Sequence, residues 1–76
     1  MASPGDYIIL SRMDGTFDLF RVDSVGNRAS IRARLSHLQG AYEIARTESQ
    51  GQVWVCDERT PDDLRRWDTN APAEGS

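Results

Sequence analysis

Lysine is absent from this chain. All nine basic residues are arginine, a bias that suits a GC-rich bacterial or phage genome better than it suits any mechanism. The single cysteine cannot form an intrachain disulfide, which fits a reducing, cytoplasmic setting. No apolar run approaches the roughly 18 residues that a membrane span requires, so no membrane partner is expected. The start, Met1-Ala2-Ser3-Pro4-Gly5-Asp6, has neither a charged leader nor a long apolar stretch and reads as no secretory signal. One histidine, His37, and one cysteine, Cys56, are too few for a conventional zinc site without several carboxylates. No glycine-rich phosphate loop is present, because Asp14-Gly15 reads as a turn. No cofactor and no small-molecule substrate is implied. The net charge of −3 argues against generic binding to nucleic acid or to an anionic membrane.

What remains suffices for one small domain. With 38% hydrophobic and 28% charged residues, the 76-residue chain has the composition of a folded rather than a disordered protein. Residues 1–6 and 69–76 are small and polar and read as flexible tails around a single domain over 7–68. Tyr7 to Arg12 reads as a strand, Asp14-Gly15 as a tight hairpin turn, and Phe17 to Asp23 as the returning strand. Gly26-Asn27 is a second turn signal before a short third strand, Arg28 to Arg32. Ser36 and Gln39 have capping-box spacing and predict a helix over 37–49, with Leu38, Tyr42 and Ala45 facing the sheet. Gly51 sits where a left-handed C-terminal cap is expected. Gly40 costs the helix roughly 1 kcal/mol against alanine; it reads either as a close-approach position with Ala41 and Ala45 or as a surface glycine. Gln52 to Asp57 is a further strand. Thr60-Pro61-Asp62-Asp63 then looks like a helix start, with a capping hydroxyl, proline at the first position and acids at the positive end of the dipole. The expected fold is α+β: a small antiparallel sheet in ββ(β)αβ order, one main helix on one face, and a short C-terminal helical segment.

The strands are apolar on both faces, which a single helix cannot cover. Alternation sorts the residues into two sets. Ile8, Leu10, Phe17, Leu19, Val53 and Val55 are assigned to the helix side. Tyr7, Ile9, Phe20, Val22, Trp54 and Cys56 are assigned to the other. Each large side chain of this kind is worth about 1.5–3 kcal/mol when buried, so the second set demands a cover. Leu64 and Trp67 could fold back over it, or a second copy or another protein could pack there. Tyr7, Ile9, Phe20, Val22, Trp54, Leu64 and Trp67 are therefore the candidate partner-binding residues, with a symmetric homodimer as the expected arrangement.

Tyr7-Ile8-Ile9-Leu10, Asp14-Gly15-Thr16-Phe17, Arg28-Ala29-Ser30, Ala41-Tyr42-Glu43-Ile44-Ala45-Arg46 and Gly51-Gln52-Val53-Trp54-Val55 follow one another in a set order. That order resembles a small bacterial family catalogued as a domain of unknown function, over about residues 7–58. The resemblance implies a strand–hairpin–strand–helix–strand fold and leaves the activity open. Such proteins continue with another Asp-Gly turn and a further short strand. Glu58-Arg59-Thr60-Pro61-Asp62-Asp63-Leu64 departs from that pattern and favours a helix there.

Few residues carry chemistry. His37 and Cys56 would form a nucleophile pair only if they met, but the helix start and the second sheet face place them apart. Asp62-Asp63 is better explained by the helix dipole than by acid–base work. Arg28, Arg32 and Arg34 share parity on an extended strand and form a candidate anion or nucleic-acid patch, which Arg65 and Arg66 would extend. No lysine reinforces it, and the aromatics do not interleave with the arginines as a stacking platform would. The expected function is a non-catalytic protein-binding or homo-oligomerisation module. Two alternatives stand beside it: a small inhibitor encoded by a phage or mobile element that binds a host protein, and a nucleic-acid-binding accessory protein.

Overall fold

A computed structural model describes residues 2–49 and 51–66. Strand β1 (Tyr7–Ser11) is apolar at four successive positions because it lies at the centre of a sheet covered on both faces. Around it are β2 (Phe17–Val22), β3 (Arg28–Leu35), helix α1 (Leu38–Glu48), β4 (Val53–Asp57) and β5 (Thr60–Arg66). The spatial order is β3-β2-β1-β4-β5. Asp14 and Asp23 turn the first two hairpins by accepting backbone N–H groups two to four residues on, and Gly15 and Gly26 take the positive φ each turn requires.

The sheet is mixed rather than antiparallel. β4 runs parallel to β1 because α1 carries the chain back along the sheet before β4 begins, and a parallel neighbour needs such a crossover. Register also corrects the expected faces. Ile9 stands beside Leu19 and Val55, whereas Ile8 stands beside Phe20 and Trp54. Tyr7 and Ile9 thus belong to the helix side and Ile8 and Leu10 to the other, the reverse of the expected assignment for β1. A strand apolar at every position has no polar face to orient it; only its neighbours do.

Two cores result. On the helix side Tyr7, Ile9 and Leu19 pack with Ala41 and Ala45, both fully buried, so the helix presents its smallest side chains to the sheet and lies close. Tyr42 packs on this core half-buried, and Leu38 is largely outside it. On the other side Ile8, Val22, Trp54 and Cys56 are buried, with Ala2, Leu10, Phe20 and Leu64 packed against them. This second core needs no second helix because the sheet curls. Arg28 on one edge strand donates from Nη2 to the Pro61 carbonyl on the other, at 2.8 Å. On a flat sheet the steps from β3 to β5 would span about 19 Å at about 4.8 Å each, far beyond the reach of one arginine side chain.

Asp6, expected in a flexible tail, is buried instead. Its Oδ2 accepts the Ser3 N–H at 2.8 Å and the Trp54 indole N–H at 2.9 Å, and its Oδ1 accepts the Gln52 N–H at 2.9 Å. Burial alone would raise the Asp6 carboxyl; these three donors outweigh it and hold the group below its ordinary value. Gly51 serves this arrangement, since a Cβ there would overlap Asp6 Oδ1. The helix itself ends at Ser49 in an extended conformation, not in the expected left-handed glycine cap.

Among the described residues the expected C-terminal helical segment is not seen; Thr60 to Arg66 is strand β5, antiparallel to β4. Asp57 Oδ1 accepts the Arg59 N–H and turns the hairpin. Thr60 pairs with Asp57 and Arg65 with Val55, so residues 61–64 bulge out opposite Cys56. Pro61 is tolerated there because an edge bulge asks for no N–H. Leu64 still reaches the second core, and that burial outweighs the local helix signals. Trp67 and the tail from 69 lie outside the described residues.

At the helix start, His37 rather than Ser36 is the N-cap, and its side chain makes no capping bond; Gln39 bonds Glu43 instead of closing a capping box. Gly40 is exposed, and a Cβ there would make only ordinary contact. His37→Ser should therefore stabilise by roughly 0.5–2 kcal/mol and Gly40→Ala by about 1 kcal/mol, whereas Ser36→Ala should change little. Urea unfolding checks all three, and a large loss on Ser36→Ala would contradict this cap.

Gly51→Ala should cost about 1–3 kcal/mol by displacing the Asp6 carboxylate from its donors. In an Asp6→Ser background most of that cost should vanish, because the two residues act through one contact. Equal costs in both backgrounds would place the effect elsewhere.

Candidate functional site

Helix α1 packs over β1, β2, β3 and β4, and the bulged edge strand β5 extends the sheet beside it. Between the start of α1 and β5 an open cleft of about 320 Å³ remains. Ile9, Phe17, Val55 and Leu38 give it an apolar floor and wall. Leu38, the first helical residue, is 37% exposed because its side chain stands at this opening rather than in the core.

The rim is polar. Asp57, Asp63 and Arg65 contribute charges, and Ser11 and Thr60 contribute hydroxyls. The Arg59 backbone N–H on its carboxylate holds Asp57 below the usual value, and the Arg59 guanidinium 3.4 Å away acts in the same direction. Arg65 lies 3.8 Å from Asp63, with both side chains mostly in solvent, so the pair adds little stability. Such a site can bury an apolar side chain and orient it by charge. Among the described residues no group of three or more His, Cys, Asp or Glu side chains is placed to hold a metal ion.

The residues expected to bind a partner lie elsewhere. Tyr7 and Ile9 are in the first core, and Val22 and Trp54 are in the second. Phe20 and Leu64 are half-buried against the second core, and Trp67 is outside the described residues. Burial demanded of a second copy is met within one chain, so this set supplies no reason for a dimer. Only Ile9 also reaches the cleft.

The arginine patch is divided. Val22 faces Arg28 and Phe20 faces Ser30, but Leu19 faces Arg32 and Phe17 faces Leu35. Two bulges in β3 thus break the alternation that would place Arg28, Arg32 and Arg34 on one side. Arg28 is engaged with Pro61, while Arg32 and Arg34 are exposed. Arg34 adopts a left-handed backbone, φ 57°, and thereby directs its N–H to Asp18 Oδ1 at 3.1 Å. Asp18 is buried and also takes Arg12 at 2.8 Å and 2.6 Å, a two-pronged pair on the sheet face opposite the helix. That guanidinium holds the Asp18 carboxyl below its ordinary value against the opposing effect of burial. Arg65 lines the cleft and Arg66 pairs with Trp54.

Cys56 is buried in the second core and also contributes to the lining of the cleft, whereas His37 occupies the N-cap position of the helix above the first core. Burial pushes the Cys56 thiol up, and the neighbouring Arg28 offsets this only in part, so the sulfur stays protonated at neutral pH. Asp62 and Asp63 are on β5, not at a helix dipole.

The cleft itself was invisible in the sequence. Its floor residues carried an ordinary core pattern, and its rim depends on β5 being a strand where the local signals favour a helix. No helix among the described residues is long and apolar enough to cross a membrane. Comparison with protein-family models, curated proteins and solved structures finds no match to this chain.

The two buried aspartates set the acid response. Both carboxyls lie below the ordinary value of 3.8 when folded. Their stabilisation is therefore complete above that value and lost as pH falls through the lowered folded values. Unfolding free energy measured in urea should be flat from about pH 7 to 5 and fall below about pH 4, with a shallower fall in Asp18→Asn. Stability rising in acid would contradict the assignment.

Proposed function

We propose that the protein is a non-catalytic binding module, and that it holds another protein by receiving an apolar side chain in the cleft between Leu38 and β5. The observation that carries this reading is the placement of α1. The helix covers β1 to β4 and leaves Val55, Phe17 and Leu38 lining an open cleft with a charged rim. Apolar centres ringed by polar groups are the usual build of a protein-binding site. The protonated Cys56 and its separation from His37 favour binding over nucleophilic chemistry.

Leu38→Glu and Thr60→Arg test it, since both positions are exposed and the fold should survive. A protein retained from extracts of the source cells by the native chain should, once purified, bind each variant at least about tenfold more weakly, because a charge enters an apolar contact. Circular dichroism and the melting temperature should stay unchanged. Full retention by both variants would overturn the reading. Light scattering identifies the case of a second copy, as a dimer of the native chain that Leu38→Glu dissociates.

A further inference from the structure

We infer that the cleft is where two copies of this chain meet, rim to rim about a two-fold axis, with Leu38 of each copy offered to the apolar floor of the other. This rests on the cleft being the binding site and adds the identity of the partner. The rim has no net sign that would select a charged ligand, since Arg59 lies 3.4 Å from Asp57 and Arg65 lies 3.8 Å from Asp63. What it has is an order. Along β5 the residues Asp62-Asp63-Leu64-Arg65-Arg66, reversed, give the same pattern with the signs exchanged. A second copy laid antiparallel about an axis at Leu64 therefore sets an arginine against every acid, as a surface that must face itself requires. The pair on the cleft side is free to make that exchange. Asp63 and Arg65 are 61% and 79% exposed and hold each other only loosely, whereas Asp57 is committed to the Arg59 N–H. In the contact Asp63 faces the partner's Arg65, and Arg65 faces the partner's Asp63. Pro61 and the bulge over 61–64 bar a continuous backbone ladder between the two strands, so side chains make the contact. Leu38, 37% exposed at the opening, is the apolar group each copy has to offer there. The net charge of −3 on each copy opposes approach, but salt screens it beyond about 8 Å, whereas the crossing pairs act at contact.

Asp63→Arg and Arg65→Asp test this in the full chain, since both positions are exposed and the fold should survive in each. Sedimentation equilibrium of the native chain should show a dimer that loosens as salt rises and that Leu38→Glu dissociates. Either charge variant alone sets like on like at both crossings and should dimerise at least about tenfold more weakly, with unchanged circular dichroism. An equimolar mixture of the two should recover a dimer with one chain of each, read by mass spectrometry of the intact complex, because acid again meets arginine at both crossings. A native chain still monomeric at about 1 mM would overturn the inference. So would a dimer that persists in both charge variants, a mixture that dimerises no better than its components, or a dimer indifferent to Leu38→Glu. In those cases the cleft can still hold a different protein, which weaker retention by Leu38→Glu and Thr60→Arg shows separately. A monomeric native chain together with full retention by both of those variants would remove the inference and the reading beneath it.

Discussion

The side chain of Asp6 is buried, with 4% exposure for the residue, and three N–H groups converge on its carboxylate, one from Ser3 and two from the neighbouring Gln52 and Trp54. Burying an ionised carboxylate costs several kcal/mol unless its lone pairs are filled. The turn at Ser3, the connector at Gln52 and the indole of Trp54 must therefore hold their places together. One consequence is at Gly51, where any side chain would displace the carboxylate. Another is the orientation of Trp54, whose ring is turned into the second core by its bond to Asp6. The Tyr7 hydroxyl adds a parallel tie on the opposite face by donating to Glu48, so the end of α1 is anchored to β1 as well.

A sheet of five strands with one helix has more apolar surface than the helix can hide. This chain resolves the excess by curling the sheet until its edges meet through Arg28 and Pro61. The bulge that admits Pro61 into β5 also presents its carbonyl to that arginine. Both edges are poor templates for a further strand. β3 carries two bulges and exposed arginines, and β5 carries a proline, two acids and two arginines. With the second face buried and the edges blunted, the cleft beside α1 remains as an open apolar feature of the described residues, while Met13 and Val25 are exposed singly in turns.

Asp57 shows how structure and site share parts. Its carboxylate turns the hairpin that creates β5 and also stands on the rim of the cleft that β5 completes. Leu38 has a similar double place, opening the helix while forming one wall of the cleft. The rim of the cleft is therefore a product of how the last strand attaches, not of a dedicated motif.

Local pattern determined the elements that depend on neighbours in sequence. The Asp-Gly turn at 14–15, the strands at Tyr7, Phe17 and Val53, and the helix through Ala41 and Ala45 are set by alternation, turn chemistry and helical spacing, and all of them were legible. Tertiary structure decided what depends on contacts between distant residues. The face taken by β1 followed from its register with Leu19 and Val55, because an all-apolar strand has no preference of its own. Thr60 to Arg66 became a strand because pairing with β4 and burial of Leu64 outweighed a proline and two acids that favour a helix start. The burial of Asp6 followed from donors 46 and 48 residues away in sequence. The cleft exists only once α1, β4 and β5 are side by side, so no window of the sequence could contain it.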